Sequence, residues 1–242
     1  MAIRCEVSGD GANLVAALSG GLQLTDSASL REQLLKCLAE QPEALLVDLS
    51  AMWVDQPLAL SIFKVVLRQA ARWPGTPVLL CAPGPQTREL LSTAANHRLP
   101  LYPTVAAALA HLHDERSTMP SISEELLPVS GSTRHARDVA TEACVRWDLP
   151  DLVAPASLIV TELVANVVDH ADTMMTLRLS LRHRYLSIAV RDGSPQPPSP
   201  SLSGPPQAAT GRGLRLVNEI AYSWGYLPST GGKVVWAALR RP

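Results

Sequence analysis

Lysine is nearly absent: Lys36, Lys64 and Lys233 are the only three in 242 residues, and arginine carries almost all of the positive charge. An excess of either sign is missing too. The formal net charge is −1, which leaves no basic footprint for nucleic acid or anionic lipid, so neither is expected as a partner. Cysteine is sparse and scattered, with Cys5, Cys37, Cys81 and Cys144 far apart and no CxxC pair. That spacing argues against a disulfide frame or a thiolate metal cluster and suits reduced, mostly buried thiols in the cytoplasm. No uninterrupted apolar run approaches the roughly 18–20 residues that span a bilayer. Arg4, Glu6 and Asp10 interrupt the N-terminus, so no signal peptide is expected. No internal repeat relates the two halves.

What is present is 47% hydrophobic and 18% charged, a composition of globular chains long enough here for two modest domains. In the first half, "IRCEV" and "NLVAALS" are expected strands of a hairpin. "SASLREQLLKCLAE" has helical spacing, "ALLVDLS" is a short buried strand, and a helix is expected over 57–72 with Pro57 in its first turn. "PVLLCAP" and "LPLY" are further strands, and "PQTRELLSTAANH" and "TVAAALAHLH" further helices. Strands alternating with helices predict an α/β domain over residues 1–113 with a partly parallel sheet. His111 and His113 lie two apart, but no third ligand is near in sequence, so a metal is not expected.

Residues 114–127, "DERSTMPSISEELL", are polar and without steady period and read as an inter-domain linker. From 128 to 242 the order changes. Helices are expected over "STRHARDVATEACVRW", 155–170 and "GRGLRLVNEIAY". Strands are expected over "TMMTLRLSLRH", "YLSIAVRD", "SWGYLP" and "KVVWAALR". Helices gathered against a mainly antiparallel sheet make an α+β sandwich.

The helix containing "TELVANVVDHA" sets a question. Ile159, Val160, Leu163, Val164, Val167 and Val168 form an apolar arc, while Glu162, Asn166 and His170 fall four apart on the other side. That line fits a solvent face or the floor of a ligand site, and periodicity alone leaves both open.

The motifs "ELVANVVDHA", "VRDGSPQPP", "GRGLRLVNEIAYSWG" and "GGKVVWAAL", in that order, resemble the GHKL (Bergerat) ATPase superfamily and most of all its anti-sigma-factor serine kinase branch. The resemblance implies Mg²⁺ and ATP as cofactors. It implies that Asn166 offers its carbonyl oxygen to the metal and that Glu162 is the general base. Asp192 would accept from the adenine amino group, with Gly193 letting the backbone approach the base. Gly211, Arg212 and Gly213 would face the phosphates at a helix start, and residues 195–210 would form a lid. Asp169 departs from the basic residue expected there. Val234 stands where relatives carry a hydroxyl, and Lys233 reads as a surface residue.

Residues 1–113 resemble a STAS domain, the fold of anti-sigma-factor antagonists, through "LLVDLS" and "MWVDQPLALSIFKVVLRQA". The antagonists carry a phosphorylated serine after the Asp of this motif. Here Asp55 is followed by Gln56 and Pro57, so the phosphoacceptor is missing. Two functions are implied: an ATP-dependent serine/threonine kinase acting on a STAS-type antagonist or sigma factor, or a non-catalytic switch protein with little ATP turnover. The STAS half would be a pseudosubstrate contacting its own kinase half, or an adaptor. A homodimer fits the branch.

Overall fold

The computed structural model describes residues 2–9, 12–93, 99–114, 120–198 and 213–242, and the chain divides into two compact units, 1–117 and 118–242. The first contains strands β1 (Arg4–Gly9), β2 (Asn13–Leu22), β3 (Ala44–Val54), β4 (Val78–Cys81) and β5 (Leu101–Tyr102), hydrogen-bonded in that order. The β1–β2 pair is antiparallel and the other three pairs are parallel. Parallel neighbours need crossovers, and helices α1 (Ser27–Ala39), α2 (Ser61–Arg72) and α3 (Pro85–Leu91) occupy the three connections, with α4 (Val105–Asp114) following β5. This is the α/β architecture expected from the strand–helix alternation. β3 outruns the expected "ALLVDLS", continuing to Val54, and its Leu45, Leu46, Val47 and Leu49 are fully buried. Pro57 opens a 3-10 turn, Pro57–Leu60, rather than the α-helix itself, which starts at Ser61. The ring of His111 lies 5.3 Å from that of Tyr102.

The second unit has strands β6 (Ser121–Leu126), β7 (Met175–Leu181), β8 (Tyr185–Asp192), β9 (Ser223–Ser229) and β10 (Gly232–Arg240). Their order is β6-β7-β8-β10-β9 and every pair is antiparallel. Helices α5 (Ser132–Arg146), α6 (Val153–His170) and α7 (Gly213–Ile220) complete it. One expectation is corrected here. Residues 121–126 fall inside the expected linker but form β6, paired from Ser121 opposite Ser180 to Leu126 opposite Met175. Ile122, Glu124 and Leu126 are the more buried residues and Ser121, Ser123 and Glu125 the exposed ones. That period of two was present in the sequence, masked by the polar composition an edge strand tolerates.

The apolar arc of α6 does what its spacing implied. Ile159, Val160, Leu163, Val164 and Val167 join Leu177, Leu179, Ile188, Val190, Val235 and Ala237 in one buried cluster. By length and composition the stretch Pro150–His170 could cross a membrane, but here its apolar side is spent on this core. Burial also pushes the thiols of Cys81 and Cys144 up to about 11 and, with the neighbouring Cys5 and Glu40, that of Cys37 to about 12. All three are therefore protonated and unreactive at neutral pH.

Gly232 begins β10 opposite Ser229, where an added Cβ would run into the carbonyl oxygen of Asp192. Both sides of that clash are main chain. Gly232→Ala is therefore expected to cost up to about 3 kcal/mol, read as a lower urea midpoint with an unchanged m-value.

Candidate functional site

The line of polar residues on α6 runs from the interior outward. Glu162 and Asn166 are half-buried, whereas Asp169 and His170 are exposed. Glu162 reaches α7: the Cβ that Gly213 lacks would collide with Glu162 Oε2. A glycine at the first position of α7 thus leaves room for the carboxylate beside the N-terminus of that helix, where the dipole favours negative charge. Glu162 and Gly213, some fifty residues apart in sequence, are brought together. Asn166 follows Glu162 by one turn on the same side of α6. Gly211, Arg212 and the lid residues from 199 onward lie outside the described residues.

Asp192 ends β8 and is 3% exposed. Its Oδ1 accepts two hydrogen bonds, from Lys233 Nζ at 2.9 Å and from the Ser194 N–H at 2.8 Å. The second is the turn an aspartate makes with the backbone two residues on. Lys233 Nζ also donates to the Ser194 carbonyl at 3.3 Å. Asp192 Oδ2 is buried and has no partner among the described residues. Gly193 donates its N–H to Thr173 Oγ1 at 3.0 Å, and a Cβ at 193 would press on the Thr173 methyl at 3.3 Å. The strand end is in this way fastened to the segment leaving α6.

Register corrects one expectation. Lys233 stands directly opposite Asp192 and is 4% exposed, so it is not a surface residue. It shares the sheet face of Val235, Ala237 and Leu239, which belong to the core under the helices. Val234 alternates to the other face, opposite Arg191, so the residue confronting Asp192 is the lysine and not the valine. A cavity of about 220 Å³ at this end of the sheet is lined by Glu125, Met175, Thr176, Arg191, Asp192 and Gly193.

In the first unit, the segment from Asp55 to Pro57 is a clamp. Trp53 Nε1 donates to Asp55 Oδ1 at 3.1 Å and Gln23 Nε2 to Oδ2 at 3.3 Å. The Leu24 N–H donates to Gln56 Oε1 at 2.8 Å, and the N–H groups of Asp55 and Gln56 both point to the Leu22 carbonyl. Pro57, with no N–H, begins the following turn. Asp55 and Gln56 hold the end of β3 to the end of β2. Nothing local in the sequence marks the contacts from Gln23 and Leu24, which join residues 32 apart.

Residues 129–239 match the family model described as histidine kinase-like ATPase domain. No curated protein matches the chain. Among solved structures, the chain is similar to an anti-sigma factor antagonist from Mycobacterium paratuberculosis. That pair shares 27% identity over 47% of this chain and 96% of the other, with a TM-score of 0.42. An anti-sigma factor antagonist described as putative, from Thermotoga maritima, is 13% identical over 45% of this chain and 94% of its own, TM-score 0.40. The RsbU and RsbW domains of a Mycobacterium tuberculosis protein are 16% identical over 52% of this chain and 34% of theirs, TM-score 0.36. The second unit is thus similar to histidine kinase-like ATPase domains over residues 129–239, and it follows an α/β unit in the sequence.

Proposed function

We propose that the chain is a regulatory anti-sigma-type serine/threonine kinase that binds Mg-ATP in its second unit and acts in a cytoplasmic partner-switching network controlling a sigma factor. The observation that carries this reading is Asp192 Oδ2, a buried acceptor without a donor among the described residues, in a unit similar to ATPase domains. An unmatched buried acceptor costs about 1–3 kcal/mol, and the exocyclic amino group of adenine is a donor that would match it. Gly193 keeps side-chain bulk away from the base. Gly213 puts no side chain at the start of α7, so phosphate would share that helix N-terminus with Glu162. Asn166 offers Mg²⁺ one amide oxygen, in keeping with a hard ion that draws most of its shell from phosphate and water.

Bound Mg-ATP supplies the transferable phosphoryl group and neutralises its charge. Glu162 acts as general base, holding the proton of an acceptor hydroxyl as that oxygen is phosphorylated. The acceptor is a Ser or Thr on a separate STAS-type antagonist. The chain's own first unit has Gln56 and Pro57 where a hydroxyl would be needed, and it acts as a pseudosubstrate or adaptor. A sigma factor and a second copy of the chain are the other expected partners.

One observation favours the alternative, a switch protein with weak or no turnover: Lys233 already occupies one oxygen of Asp192. Calorimetric titration of the full chain with ATP, with and without Mg²⁺, separates the readings. Mg-dependent binding by the wild type that is lost in Asn166→Ala is the expected result. No binding by the folded wild type would leave the switch protein standing alone.

A further inference from the structure

Lys233 is the least expected feature of the site, and the chemistry around it is specific. An ammonium has three N–H groups and no acceptor. Two are committed, one to Asp192 Oδ1 at 2.9 Å and one to the Ser194 carbonyl at 3.3 Å. The third has no described partner. Asp192 is constrained in the complementary way. Oδ1 is filled by Lys233 and the Ser194 N–H, while Oδ2 is buried and empty. The strand end thus presents one free acceptor and one charged donor belonging to a single ion pair, whose side chains are 5% and 0% exposed.

From this pairing, and resting on the nucleotide reading above, we infer that Lys233 is a specificity-determining residue. Its free N–H reads the ring nitrogen N1 of adenine while Asp192 Oδ2 accepts from the adjacent amino group. The adenine edge offers a donor beside an acceptor, which matches an acceptor beside a donor. Guanine held in the same pose reverses both groups: its O6, an acceptor, would face Asp192 Oδ2, and its N1–H, a donor, would face the Lys233 ammonium. Acceptor then meets acceptor and donor meets donor, and neither hydrogen bond forms. The pair therefore selects adenine and rejects guanine.

The test is titration of the full chain with ATP, with GTP and with 1-deaza-ATP, in which a C–H replaces N1 and only that acceptor is lost. The wild type is expected to bind 1-deaza-ATP about 10- to 100-fold more weakly than ATP, the range for one hydrogen bond to a charged group, and GTP at least as weakly. The double variant Asp192→Asn/Lys233→Met keeps an acceptor oxygen and leaves no uncompensated charge, and it should bind ATP and 1-deaza-ATP equally. Equal binding of the two by the wild type would overturn the role of Lys233 and leave the nucleotide site intact. So would discrimination that persists in the double variant, or GTP binding as tight as ATP. No ATP binding by the folded wild type would remove the nucleotide reading and this inference with it.

Discussion

Lys233→Met is expected to destabilise the second unit by roughly 3–5 kcal/mol, the usual cost of removing one member of a buried ion pair. The methionine fills most of the space, so the loss is electrostatic. Asp192 Oδ1 would keep only the Ser194 N–H, and a carboxylate with no cation beside it would remain at 3% exposure. The double variant Asp192→Asn/Lys233→Met should regain most of the loss, because a neutral amide is far cheaper to bury than a lone charge. Urea unfolding gives the magnitude, and hydrogen exchange of the β8 and β10 amides assigns it to this unit. A change below about 1 kcal/mol would mean that the pair is solvated in solution.

Glu162→Gln is expected to slow phosphoryl transfer from ATP to a serine of a separate STAS antagonist by about 10²- to 10⁴-fold, the usual contribution of a general base. Affinity for ATP should hold or rise slightly. Glutamine has the shape of glutamate and still fits against Gly213. It also removes a negative charge from the helix N-terminus that phosphate would occupy. Single-turnover transfer and ATP titration on the same samples separate the two effects. An unchanged rate would take the proton-accepting role away from Glu162.

The elements legible in the sequence were those with strong period. The apolar arc of α6 and the strand–helix alternation of the first unit are present as their spacing implied. Long-range pairing was not legible. Nothing in "GGKVVWAAL" tells whether Lys233 or Val234 faces the helices, because a slip of one residue exchanges the two faces. Only the pairing of β10 with β8 decides it. The approach of Glu162 to Gly213 and the links from Gln23 and Leu24 to Asp55 and Gln56 are likewise tertiary, with no local signal. β6 was missed for a different reason. Ser121, Ser123 and Glu125 alternating with Ile122, Glu124 and Leu126 look like linker until a partner strand is present.

That strand changes where the two halves of the chain can be parted. β6 is the outermost member of its sheet, and its residues follow within a few positions of the boundary near 117. A protein begun at residue 128 would lack it, and β7 would become the edge. A row of backbone N–H and C=O groups beside Leu177 and Leu179 would then be open to pairing with any other chain. A proteolytic cut before Pro120 spares the sheet. A cut a few residues later turns a folded domain into a template for self-association.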